Sequence, residues 1–431
     1  MTQAAEQRYD TLDGMRGVAA LAVMLLHLTA SSPFAIFKNA AIAVDLFFML
    51  SGFVIAHSYG ARIAAGMTFA DYIGRRIVRL YPLLLVSVAL GVAVLLCAQS
   101  AGWTTCSPRF ILASLLYNAL FIPDIHSCGI YNIGFPAVMK TGELFPGNPP
   151  LWSLFFEMVA SCGFYALSRL TARRLARVAL ASFSLLLLLS LAFALSHGKS
   201  EIDIGQGWGF ENFTGGFPRV LFGFSVGMAL HALVDDERWR GARGFVARNL
   251  GSPLPLYALL VAFLAFPDAL GGVYPALAVA VAAPFLVWAG SIVAPKGPLA
   301  IRLARALGWI SYPVYCLHLP IGRAVYQFAE QGHYPRAAAI AGSVVLTLAL
   351  ACVVTRAYDE PVRSWLSRRL ARLVAPPATT APTIEAVSPT RVARPPGPAR
   401  VAAQRPAAAP VSSSETDIAL PRQTKSSLAQ A

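Results

Sequence analysis

The chain has 431 residues, 56% hydrophobic and 13% charged, with a mean hydropathy of +0.59 and a formal net charge of +14. This is too apolar for the surface of a water-soluble globule, and it describes an all-α polytopic membrane protein. The Lys and Arg residues do not gather on one soluble module, as nucleic-acid binding requires; they fall in short clusters between apolar runs, as in cytoplasmic membrane loops.

Ten apolar runs are long enough to read as spans: Gly14 to Thr29, Ala40 to Tyr59, Pro82 to Ala98, Leu151 to Ser168, Ala179 to Ser196, Gly216 to Val234, Pro253 to Leu270, Tyr274 to Val293, Leu307 to Phe328 and Ala337 to Ala357. Basic residues concentrate in alternate loops, at Arg62 to Arg79, Arg169 to Arg177, Arg238 to Arg248, Lys296 to Arg305 and from Arg363 onward, which predicts that both termini are cytoplasmic. Phe110 to Ile122 is too short to span and reads as a re-entrant or interfacial segment. The first run carries charge and follows a weakly charged leader, so it is expected to be retained. Residues 1–374 form the expected membrane domain. From Ala375 the composition turns to Pro, Ala, Ser and Thr with almost no aromatics, which predicts a disordered cytoplasmic tail over 375–431.

The first span contains Asp13, Arg16 and His27. Eleven residues at about 100° each bring Arg16 and His27 onto one stripe, roughly 16 Å apart along the axis, so His27 lies near the bilayer midplane. An ionisable group at that depth is a functional candidate; the competing reading is a His that hydrogen-bonds a neighbouring helix. In the second span Asp45 is read as orienting a partner, and Ser51-Gly52 as a close-packing pair. Arg75, Arg76 and Arg79 precede Pro82, which suits a first helical turn, so the arginines collect at a helix start where guanidinium groups grip phosphate or, equally, mark topology. Ser153 and Glu157, four apart, share a face of the fourth span; Ser311, Tyr315 and His318 form a stripe on the ninth, where Pro313 and Pro320 are expected to break or kink the helix. Cys97, Cys162, Cys316 and Cys352 read as small packing residues, and no metal-type Cys/His spacing appears. Cys106 and Cys128 share the long outer segment, where a bridge closing a loop of about twenty residues is expected if the compartment is oxidising.

Arg16 and His27 within Leu-Asp-Gly-Met-Arg-Gly, Val-Asp-Leu-Phe-Phe-Met-Leu-Ser-Gly-Phe, Arg-Arg-Ile-Val-Arg-Leu-Tyr-Pro, Pro-Leu-Trp-Ser-Leu-Phe-Phe-Glu and Ile-Ser-Tyr-Pro-Val-Tyr-Cys-Leu-His, in that order, resemble the acyltransferase 3 family of integral membrane O-acyltransferases. The resemblance covers about residues 10 to 370 and departs at Met158, where many members carry a second acid, so Glu157 acts alone here. It implies transfer of an acyl group, usually acetyl, from cytoplasmic acyl-coenzyme A to a hydroxyl of a sugar, surface polysaccharide or lipid-linked glycan, with acetyl-CoA as co-substrate, no tightly bound cofactor and a bacterial inner-membrane location. His27 is then the expected base, either in direct transfer or through an acyl-histidine, with Glu157, Arg16, Asp13 and Asp45 as its supporting charges. Arg75, Arg76 and Arg79 are expected on the donor's phosphates, and Trp152, Ser153, Tyr315 and His318 on the acceptor. The alternative is a sugar or lipid transporter or flippase whose buried charges relay protons.

Overall fold

A computed structural model of the chain describes residues 8–30, 35, 37–104, 106–124, 143–267 and 270–374. These are helical almost throughout: α1 (Asp10–Thr29), α2 (Ala43–Ala64), α3 (Phe69–Ser100), α4 (Pro108–Ala119), α5 (Leu151–Leu167), α6 (Ala172–Ser196), α7 (Gly216–Leu233), α8 (Arg240–Leu250), α9 (Leu254–Ala265), α10 (Val273–Leu277), α11 (Ala283–Ile292), α12 (Pro298–Gln331), α13 (Arg336–Val354) and α14 (Glu360–Val374). Among the described residues there is no strand, and an antiparallel bridge joins Glu143 to Gly209. The compact unit is Met1–Ala375, and the segment read above as a tail lies outside the described residues.

Each of the ten expected spans falls on a helix, but they do not all cross alone. Among the described residues seven helical stretches are long and apolar enough by themselves, and an eighth arises if Glu237–Leu250 and Leu254–Ala265, bent by 91°, are one broken span. The bend sits where Gly251, at φ +51, ends α8 and Pro253 opens α9, a stop followed by a start. α5 is only 17 residues long, and α12 carries Arg302, Arg305 and Arg323 among its apolar residues. α4, capped by Ser107 at its N-terminus, is 12 residues long, about 18 Å, and does not span. α6 and α13 expose Leu180, Leu188, Leu195, Val345 and Val353, the dress of helices that face lipid.

The expectation that Pro82 opens a helix is corrected, and at Pro313 and Pro320 the helix does not break. Pro82 lies deep inside α3, which starts at Phe69 with Thr68 as its cap, so the arginine cluster occupies the second and third turns. Pro313 and Pro320 lie inside the unbroken α12. Pro320 has no N–H for the Cys316 carbonyl, and the Asn148 side-chain amide donates to that carbonyl instead at 2.6 Å. A neighbouring segment thus supplies the bond the helix lacks.

Cys106 is buried and disulfide-bonded, whereas Cys97, Cys162, Cys316 and Cys352 are free. Cys128 lies outside the described residues.

Candidate active site

α1 packs lengthwise on α12 because glycines let the backbones approach. A Cβ on Gly17 would strike the Leu307 backbone at 2.5 Å, and one on Gly308 would meet Asp13 at 2.7 Å. The register so fixed brings two rungs of polar side chains together. At one rung the Arg16 guanidinium donates to the Ser311 hydroxyl (2.9 Å) and the Gly308 carbonyl (3.1 Å), and pairs with Asp13 (3.1 Å). At the other, His27 Nδ1 lies 3.0 Å from His318 Nε2, with the rings stacked at 5.0 Å. His318 Nδ1 lies 3.0 Å from the Val314 carbonyl, which can only accept, so that nitrogen carries the proton. In the neutral pair His318 Nε2 is then an acceptor, His27 Nδ1 donates to it, and His27 Nε2 is left unprotonated.

Beside the Arg16 rung, α1, α2, α3, α5 and α12 enclose a cavity of about 230 Å³. Its polar lining comes from Arg16, Ser51, Arg76, Arg79, Ser153, Glu157, Ser311, Tyr312 and Tyr315, and its apolar wall includes Val44, Phe47 and Phe48. The cavity exists because α2 is drawn instead toward α7: Gly52 faces the Phe224 carbonyl and Gly227 the Met49 carbonyl, at distances no Cβ tolerates. Glu157 accepts from Arg76 (2.7 Å) and from the Ser51 hydroxyl (3.0 Å). Ser153 and Tyr315 share a hydrogen bond of 2.6 Å. The three members of the α12 stripe therefore each meet a different helix or rung: Ser311 takes Arg16, Tyr315 takes Ser153 and His318 takes His27.

Toward the arginine-rich end the cavity adjoins a second pocket that shares Val54, Ile55, Arg76 and Arg79 with it and adds Arg62, Arg75 and Arg363. A third pocket shares Arg16, Leu50 and Val54 with the cavity and adds Asp13 and His57.

The expected site residues divide accordingly. Arg16, Arg76, Arg79, Ser153, Glu157 and Tyr315 converge on one cavity. His27 and His318 do not line it; they sit behind Tyr315, whose ring lies 6.0 Å from that of His318. Asp45 stands apart in a buried bidentate pair with Arg219, both oxygens at 2.8 Å, and Trp152 lies over that guanidinium at 5.3 Å. Arg219 was missed in the sequence reading although a lone Arg in an apolar span is the signal to look for. The same holds for Arg323, which is buried against Glu143 at 3.1 Å. Ser51, read as packing, faces the cavity as a donor to Glu157. Arg76 is engaged with that carboxylate, Arg75 is held by Asp71 at 2.9 Å, and Arg79 has no carboxylate partner among the described residues.

A family model described as an acyltransferase domain matches residues 9–356. The chain is 34% identical over 173 residues to "Protein 2 in picA locus" of Rhizobium radiobacter, an alignment that spans 37% of this chain and 83% of that protein. No solved structure matches the chain.

Proposed function

The chain belongs to the acyltransferase 3 family and is a membrane acyltransferase, and on that premise we propose that it moves an acetyl group from acetyl-CoA to a hydroxyl of a sugar, a surface polysaccharide or a lipid-linked glycan. In this reading it sits in a bacterial inner membrane with its arginine-rich end in the cytoplasm. The observation that carries the reading is that the arginine pocket adjoins the cavity of Arg16, Glu157, Ser153 and Tyr315, the two sharing Arg76 and Arg79 in their walls. Surplus guanidinium charge beside a narrow apolar-walled chamber suits a donor with phosphates at one end and a thioester at the other.

A hydroxyl is a poor nucleophile at neutral pH and needs a base placed on its proton. The unprotonated Nε2 of His27 fills that role, and His318, anchored on the Val314 carbonyl, holds the proton on the other nitrogen. As the acceptor oxygen bonds to the thioester carbonyl carbon, its proton passes to His27 Nε2. The C–S bond then breaks and the proton goes to the departing thiolate, leaving the O-acetyl ester and free coenzyme A. Tyr315 lines the cavity with its ring 6.0 Å from that of His318, so in this scheme the acyl end reaches His27 past Tyr315 and His318. Glu157, neutralised by Arg76, and the Ser153–Tyr315 pair offer the acceptor hydrogen bonds.

The test is thiol release by purified protein supplied with acetyl-CoA and a glycan acceptor. Wild type should liberate free coenzyme A and His27→Ala should not, while both remain inserted and folded. Wild-type rates in His27→Ala, or acceptor movement across proteoliposomes without any thioester, would overturn the proposal.

A further inference from the structure

The second pocket is lined by five arginines and by no carboxylate. Three of the five are neutralised from behind: Arg75 by Asp71, Arg76 by Glu157 and Arg363 by Asp359, the last pair at 2.9 Å with Asp359 buried. Arg62 and Arg79 have no carboxylate partner among the described residues and lie over the rings of Tyr59 and Tyr312. The pocket therefore presents about two uncompensated positive charges and several guanidinium forks, the equipment for a ligand with more than one phosphate.

One wall of this pocket comes from a part of the chain that the family match does not reach. The match ends at residue 356, whereas Arg363 and Ser367 come from α14, one helical turn apart on one face. α14 is seated by Leu370, which packs against Gly74 of α3 at about 3.1 Å from where a Cβ would stand. A π-turn over Thr355–Asp359 joins it to α13 and buries Asp359, so that Asp359 holds Arg363 in place.

The order of cations across the two pockets gives the ligand's direction. Arg76 and Arg79 are shared with the inner cavity; Arg62, Arg75, Arg363 and Ser367 belong to the outer pocket alone. We infer that α14 completes the donor site, with Arg62, Arg363 and Ser367 holding the phosphate on the adenosine end of an acyl-CoA donor while Arg79, shared with the inner cavity, holds its diphosphate. The inference rests on the acyl-CoA reading above and adds the element that decides between donors with and without the terminal phosphate.

The experiment compares kcat/KM for acetyl-CoA and for acetyl-3′-dephospho-CoA, in full-length wild type, Arg62→Gln and Arg363→Lys. Arg62 is exposed and in no ion pair among the described residues, so its variant folds; Arg363→Lys keeps a cation on Asp359 and loses the fork. Wild type should prefer the phosphorylated donor roughly tenfold, the size of one charge-assisted hydrogen bond, and each variant should shrink that preference severalfold. Equal losses with both donors would make the arginines structural and overturn the inference while leaving the acyl-CoA reading intact. If wild type turns over neither thioester, both fall. The same assay in nanodiscs of phosphatidylcholine with and without phosphatidylglycerol separates a lipid headgroup from the donor. Inhibition by phosphatidylglycerol that disappears in Arg363→Lys would assign the pocket to lipid and refute the proposal.

Discussion

Replacing His318 by Met keeps the side chain apolar and of similar bulk but removes the acceptor that faces His27 Nδ1 at 3.0 Å. The His27 ring then keeps only the Val23 backbone hydrogen bond on its own helix and loses the acceptor on α12, so Nε2, where the base is needed, becomes protonated in part of the molecules. General-base catalysis contributes about 10²–10⁴-fold, so loss of tautomer and orientation together should lower kcat by about 100- to 1,000-fold, or about 3–4 kcal/mol. Donor KM should stay near its wild-type value, because neither histidine lines the donor pocket. His318→Gln places an amide oxygen near the lost Nε2 and should recover kcat to within about tenfold of wild type. The assay is coenzyme A release at saturating donor for His27→Ala, His318→Met and the double variant. The two residues act as one unit in this scheme, so the double variant should be no slower than His27→Ala alone. Multiplicative losses, or a His318→Met enzyme with normal kcat, would falsify the coupling.

Arg76 and Arg79 should separate although they lie three residues apart. Arg76→Gln strands Glu157 with Ser51 as its remaining partner and should cost about 3 kcal/mol, read as a lower melting temperature in detergent; Arg79→Gln should leave melting unchanged and raise donor KM about tenfold. If the two variants behave alike, the division of labour is wrong. Arg219→Met leaves Asp45, 1% exposed, without its cation and should destabilise by about 3–5 kcal/mol, with partial recovery when Asp45→Asn is added. A double variant no more stable than the single one refutes the pairing as the cause. Truncation after Val374 should leave turnover at the wild-type level, since a Pro/Ala-rich segment has no core to contribute; normal insertion with lost activity would show that the segment binds something the reaction needs.

Much of the candidate site was legible because helical periodicity is a local property. The eleven-residue spacing of Arg16 and His27, the four-residue spacing of Ser153 and Glu157, and the stripe of Ser311, Tyr315 and His318 each fix a shared face whatever surrounds the helix. Buried charge in an apolar span is equally visible, and by that signal Arg219 and Arg323 were open to recognition as well. Helix ends were harder. Pro82 reads as a helix start, yet the lead-in from Phe69 is helical too, and Asn148 repairs the bond that Pro320 removes, from a segment with no sequence relation to it.

The sequence by itself determined an α-helical membrane protein, the position of its apolar helices and the faces on which polar groups stand. Only the tertiary structure decided the partners: His27 with His318 across 291 residues, Arg76 with Glu157 across 81, and Asp45 with Arg219 across 174. It also decided that Arg76 neutralises Glu157, leaving Arg79 as the cation where the two pockets adjoin. Spacing along a helix is set by 3.6 residues per turn, but which face meets which depends on the register between helices. That register comes from backbone approach at Gly17, Gly52, Gly227 and Gly308, and a glycine in the sequence does not name the carbonyl or side chain it will be pressed against.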